Sequence, residues 1–139
     1  MVGIDTNILL YAHDRSSPLF ESAGEFIANA CEEGIIGLTD LSLLEFYSVI
    51  TDGRKISEPL LPSEAAEIVE DILSADEFEI FCFNHLIFSE SISYARKHNI
   101  ARYGINDVYI AQTLAHYGID RIYTVNIKDF KKFDFIKTI

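Results

Sequence analysis

Short runs of β-branched and aromatic residues alternate with longer stretches of helical spacing along the chain, and this alternation restricts the fold more than any other feature. The runs Met1 to Ile4, Ile35 to Thr39, Phe78 to Phe83 and Arg121 to Val125 have the length and residue types of strands. Between them, Pro18 to Glu33 carries Phe20, Ala23, Ile27 and Ala30 at helical spacing, and Gly34 ends the pattern. Asp40 reads as the cap of an apolar helix reaching about Thr51. Pro62-Ser63-Glu64 opens another to about Leu73, and Leu86 to His98 forms a further one. A last helix begins near Asn106 and ends at Gly118, and the tail Phe133 to Ile139 is expected to add an edge strand. Strands separated by helices predict an α/β fold, a three-layer α/β/α sandwich around a mainly parallel sheet.

The chain has 139 residues and neither repeats nor a Pro/Gly/Ser linker, so residues 1–139 are expected to form one domain. Apolar residues at 49% exclude a disordered tail. No basic segment precedes a long apolar run, and no stretch is apolar enough to span a bilayer, which predicts a cytoplasmic protein with no membrane association. Cys31 and Cys82 lack metal-ligand spacing. Both are expected to be reduced, Cys82 in the core and Cys31 in helix packing.

With 11 basic and 22 acidic residues the net charge is -11, which argues against binding nucleic acid through a broad basic face. The exclusion weakens if several acids converge on one site, because bound divalent cations cancel charge locally and hold phosphate oxygens themselves. The late basic residues Arg96, Lys97, Arg102, Lys128, Lys131, Lys132 and Lys137 fit a solvated surface as well as a phosphate-binding one.

In a parallel sheet, ligands sit beyond the carboxyl ends of the strands, where strand order reverses, so acids at such ends carry the functional signal. Asp5 ends the first apolar run. Its competing reading is a cap for a helix beginning at Thr6. Glu45 is the only charged residue in LSLLEFYSVI, with Leu41 and Val49 on its helical face. A buried carboxylate there needs a partner or a cation, unless the helix is rotated enough for it to reach solvent. Asp107 precedes Ile110, Ala111 and Leu114 at offsets of three, four and seven, on the core-facing stripe, although simple capping by Asn106 or Asp107 fits the same residues. Asn126 follows the strand RIYTV and Asp129 comes one helical turn later; singly, each reads as turn chemistry. Together these residues predict an oxygen-ligand site for a hard cation, Mg²⁺ or Mn²⁺.

The pieces VGIDTNILLYA, TDLSLLEFYSVI, INDVYIAQTLAHYGIDRIYT and TVNIKDF resemble, in order and spacing, the PIN-domain family, over nearly the whole chain. The family's first acid falls on Asp5, its helical Glu on Glu45 and its third acid on Asp107. Its fourth acid follows a Ser or Thr at the end of the fourth strand. Thr124 fits that pattern, but Asn126 stands at the acid's position, and Asp129 is the substitute charge. The resemblance implies a sheet of about five parallel strands. It also implies a metal-dependent endoribonuclease, often the VapC-type toxin of a toxin-antitoxin pair, commonly a homodimer and held inactive by a small antitoxin.

Asp5, Glu45 and Asp107 are therefore expected to hold one or two Mg²⁺ or Mn²⁺ ions, with Asn126 or Asp129 completing a site for hydrolysis of RNA by in-line attack of water. Thr6 and Thr124 are expected to hold carboxylates or waters around it. His13, His85, His98 and His116 lack the placement of a general base. Tyr103, Tyr109, Arg102 and the late lysines offer stacking and phosphate contacts for RNA, against core packing for Tyr109 and plain surface for the lysines. The rival reading is a PIN-like scaffold without catalysis, which Asn126 and the acidic balance favour. A haloacid-dehalogenase-type phosphatase needs a second Asp where Asn7 stands, and ranks last.

Overall fold

The alternating pattern resolves into five strands and seven helices in a computed structural model that describes residues 1–139. In chain order they are β1 (Val2–Ile4), α1 (Thr6–His13), α2 (Phe20–Glu33), β2 (Ile36–Thr39), α3 (Asp40–Ile50) and α4 (Pro62–Ser74). There follow β3 (Phe78–Phe81), α5 (His85–Lys97), α6 (Gly104–His116), β4 (Arg121–Tyr123), α7 (Ile127–Phe130) and β5 (Lys137–Thr138). The strands form one sheet in the order β3-β2-β1-β4-β5, and every adjacent pair is parallel. The expected three-layer sandwich is therefore the observed one, and the tail supplies the edge strand β5.

Parallel strands need crossovers, and the helices pack them against both faces of the sheet. One core joins Ile4, Ile36 and Leu38 to Ile8 and Leu9 of α1, Phe46 and Ile50 of α3, and Ala65 of α4. The opposite core joins Ile122 to Val108, Ala111 and Leu114 of α6, with Phe130 and Phe133 beyond. At Gly3 a Cβ would stand 2.5 Å from Cδ1 of Leu114, so the missing side chain is what lets α6 lie close against the central strand.

Several boundaries differ from expectation. The second helix starts at Phe20 rather than Pro18, because the Ser17 hydroxyl accepts from the Leu19 amide and holds a turn ahead of it. The apolar run from Phe78 stops pairing at Phe81, so Cys82 is exposed and not in the core; it lies just past the end of an edge strand. Cys31 packs against the first core as expected. Helix α6 begins at Gly104, so Asp107 lies inside its first turn instead of opening it. Glu45 is half-buried and not sunk in the core. The apolar helix α3 buries Leu43, Phe46 and Ile50 and leaves Leu44 and Tyr47 at the surface.

Candidate active site

Strand order reverses between β1 and β4, and their carboxyl ends meet where the Asp5 amide donates to the Tyr123 carbonyl at 3.0 Å. Asp5 is buried there. It holds the N-cap position of α1, but its side chain makes no capping bond to the helix. Instead Oδ2 accepts from the Thr124 hydroxyl at 2.8 Å and from the Asn7 amide at 2.6 Å. Thr124 in turn accepts from the Asn126 backbone amide at 3.0 Å, which fastens the loop after β4 to the same carboxylate. Burial nevertheless pushes the Asp5 carboxyl up to about 6, with the charges of Glu45 and Asp129 adding to it and the Thr124 bond opposing.

Glu45 reaches the same region from α3. Its Oε2 accepts from the Thr6 hydroxyl at 3.0 Å, and its Oε1 accepts from the side-chain amide of Asn106. Both oxygens are thus held by neutral donors from two other helices. Asp107 comes from α6, half-buried and pushed up to about 7, first by burial and then by Asp5, with Asp129 and Glu45 contributing and Lys132 counteracting.

Asp5, Glu45, Asp107 and Asn126 line one cleft of about 490 Å³, together with Thr6, Asn7 and Asn106. The side chain of Asn126 does not cap α7. Asp129, in α7, is exposed and outside the cleft lining, although its charge acts on both Asp5 and Asp107. The carboxylates do not close into a ready-made three-ligand cage, as mutually repelling anions would not. A neighbouring apolar groove lined by Leu44, Phe83, Phe88, Ile92 and Tyr109 shares Asn106 with the cleft but has none of these acids. Tyr109 is buried, so it is core and not a stacking platform. None of the four histidines lines the cleft; His13 bonds the Leu9 carbonyl and His98 stacks on Tyr94.

Two residues that sequence reasoning passed over belong to this arrangement. From the sequence Asn106 reads as a helix cap, and Asn7 as the residue that excludes a phosphatase motif. Asn7 gives its amide hydrogens to Asp5 and Thr124, and its buried Oδ1 is left without a partner. The donors offered are all oxygens, several of them anionic and opposed by one another, with a spare carbonyl acceptor beside them. That set suits a hard divalent cation.

Residues 2–136 match the PIN domain family. The chain belongs to that family. Among curated PIN-domain relatives, Ribonuclease VapC24 of Mycobacterium tuberculosis strain H37Rv is 32% identical over 135 residues, spanning 97% of this chain and 92% of the relative. The solved structure of Mycobacterium tuberculosis VapC20, described as a Sarcin-Ricin loop cleaving toxin, superposes with a TM-score of 0.78 at 14% identity, covering 98% of this chain and 97% of that one. VapBC2 of Rickettsia felis, solved bound to a DNA fragment from its promoter, gives a TM-score of 0.70 at 20% identity over 100% of this chain and 98% of that one. These two likenesses establish the PIN-like fold.

Proposed function

We propose that this PIN-domain protein is a Mg²⁺- or Mn²⁺-dependent endoribonuclease that hydrolyses RNA phosphodiester bonds as one catalytic unit. We place it in the cytoplasm as the toxin of a toxin-antitoxin pair, a homodimer restrained by a small antitoxin protein. The relatives named ribonucleases support the reaction class, and the VapBC assembly among its structural neighbours supports the pairing. No helix is long and apolar enough to cross a membrane, which is compatible with that location.

The observation that carries the proposal is the convergence of Asp5, Glu45 and Asp107 from three elements distant in sequence. None of them is in an ion pair, since the protein's one ion pair joins Arg54 and Asp52. Asp5, Glu45 and Asp107 would hold the cation, with Asn126 as a neutral oxygen donor and Asp129 as the remaining charge. When bound, the cation supplies charge neutralisation at the scissile phosphate and a water more easily deprotonated for attack. The chain's own residues set the geometry. Thr124 and Asn7 fix the Asp5 carboxylate, Thr6 and Asn106 fix that of Glu45, and the first turn of α6 places Asp107 opposite them. No side-chain nucleophile is required.

The test is cleavage of a labelled single-stranded RNA by purified protein in Mg²⁺, Mn²⁺ or EDTA, beside Asp5→Asn prepared identically. Cleavage that requires the metal and vanishes in the variant supports the reading. Equal behaviour of the two proteins contradicts it and favours a scaffold, the reading that Asn126 in place of the fourth acid suggests.

A further inference from the structure

The acidic cleft has one wall of a different character. Tyr103 and Lys55 line it together with Asp5, Glu45 and Asp107, although neither contributes to the carboxylate hydrogen bonds. Tyr103 is 80% exposed, the largest exposure of any bulky apolar side chain in the protein. The rings of Tyr123, Tyr117 and Tyr94 each stack on a neighbour, Phe26, Phe81 and His98, whereas no ring packs on Tyr103. A bare ring at the mouth of a polar cleft has a face free for a flat ligand.

The backbone holds that ring out. Arg102, just before it, has φ of 56°, the left-handed region that non-glycine residues seldom enter. The following turn is closed by the Asn106 amide on the Tyr103 carbonyl at 3.0 Å. Because Asn106 also holds Glu45, the position of the ring is coupled to that of the acids.

Lys55 comes from the turn after α3. Its neighbour Arg54 is engaged by Asp52 through both Nε and Nη2 at 2.9 Å, whereas Lys55 is in no ion pair. The turn is fixed by the amides of Lys55 and Ile56 on the Asp52 carbonyl and by burial of Ile56. Of two adjacent cations, one is therefore spent on the loop and the other is free at the cleft. In a chain of net charge -11, a free ammonium beside converging carboxylates is where a phosphate adjoining the reacting one can be held.

We propose that Tyr103 and Lys55 grip one nucleotide of the substrate, the ring stacking on an unpaired base and the ammonium pairing with its phosphate. A base in a duplex has both faces covered by its neighbours and cannot take the ring, whereas single-strand recognition commonly uses an aromatic platform beside a phosphate contact. This deepens the nuclease reading and rests on it for the identity of the ligand.

The experiment measures binding apart from cleavage. Fluorescence anisotropy of a short labelled single-stranded RNA and its duplex is read in the Asp5→Asn protein, which keeps the RNA whole. Adding Tyr103→Ala is expected to weaken single-strand binding about ten-fold, while Tyr103→Phe stays within about two-fold of the parent. Adding Lys55→Ala weakens binding and lowers the slope of log affinity against log salt by about one. Duplex binding is insensitive to Tyr103. In otherwise wild-type protein Tyr103→Ala raises KM more than it lowers kcat.

Failure of the parent to bind single-stranded RNA overturns the proposal, as does an Ala variant that binds like the parent or a Phe variant as impaired as Ala. If RNA affinity is unchanged but Tyr103→Ala alters the sedimentation of the protein, the ring is a protein contact and the proposal again falls. Tyr103-dependent binding by a wild-type protein that cleaves nothing would sink the nuclease reading and leave this one standing. Cleavage with a KM indifferent to Tyr103 would do the reverse.

Discussion

The carboxylates of Asp5 and Asp107 sit at about 6 and about 7, each above the ordinary 3.8, with burial as the first cause. A carboxyl whose folded pKa is raised keeps its proton in the fold after the unfolded chain has lost it. Stability of the metal-free protein therefore falls as pH climbs from about 4 through about 7, and the penalty is complete above that window. In EDTA, Asp5→Asn should melt higher than wild type at about pH 8, by on the order of 2–3 kcal/mol, with little difference near pH 4. Chemical denaturation across that range checks it, and a difference constant with pH would count against the assignment. Asn106→Ala removes a donor from Glu45 without removing a candidate ligand, and should lower divalent-metal affinity about 10–100-fold as read by calorimetry. That Asp5, Glu45 and Asp107 share one cleft follows the expectation from sequence, Glu45 because an apolar helix is an unusual place for a carboxylate, Asp5 and Asp107 through the strand-end rule alone, since helix capping fitted both. Asn7 and Asn106 were not legible there, since asparagine beside a helix start usually means capping, and only the fold shows which atom it bonds.

Helix α6 carries the site at the level of elements. Its inner face, Val108, Ala111 and Leu114, packs on the sheet over Gly3, and this fixes how far Asp107 stands from Asp5. Gly3→Val would push against Leu114 and shift α6, at a cost of about 1–3 kcal/mol and with loss of metal affinity. Asn84→Ala supplies the contrast. Asn84 caps α5 through the amides of Leu86 and Ile87, away from the cleft, so its loss should cost about 1 kcal/mol and leave metal binding unchanged. Urea melts with parallel Mn²⁺ titrations separate the two, and equal loss of metal binding in both variants would contradict the role given to α6. Element types were readable because short β-branched or aromatic runs and longer stretches of helical spacing leave different traces. Strand ends were less so: the residues from Ile80 to Phe83 are all apolar, and only pairing with β2, which ends at Thr39 opposite Phe81, shows why Cys82 leaves the sheet.

The whole molecule brings the sheet order and the net charge together. The order β3-β2-β1-β4-β5 was not in the pattern of any segment; it follows from packing, and it puts the ends of β1 and β4 side by side although Asp5 and Thr124 lie far apart in the chain. A net charge of -11 repels a polyanion, so RNA affinity rises when the charge of the cleft falls, whether a divalent cation fills it or Asp5→Asn removes one of its acids. On the proposed reading Asp5, Glu45 and Asp107 form a divalent-cation site. The most direct test is calorimetric titration of the wild-type protein, Asp5→Asn and Asp107→Asn with Mn²⁺, in buffers of different ionisation enthalpy near the raised pKa values. Wild type should bind saturably with release of protons, because carboxyls still partly protonated there must ionise to ligate, and both variants should lose much of the affinity. No Mn²⁺ binding by wild type, or binding as tight in the two variants, would contradict it.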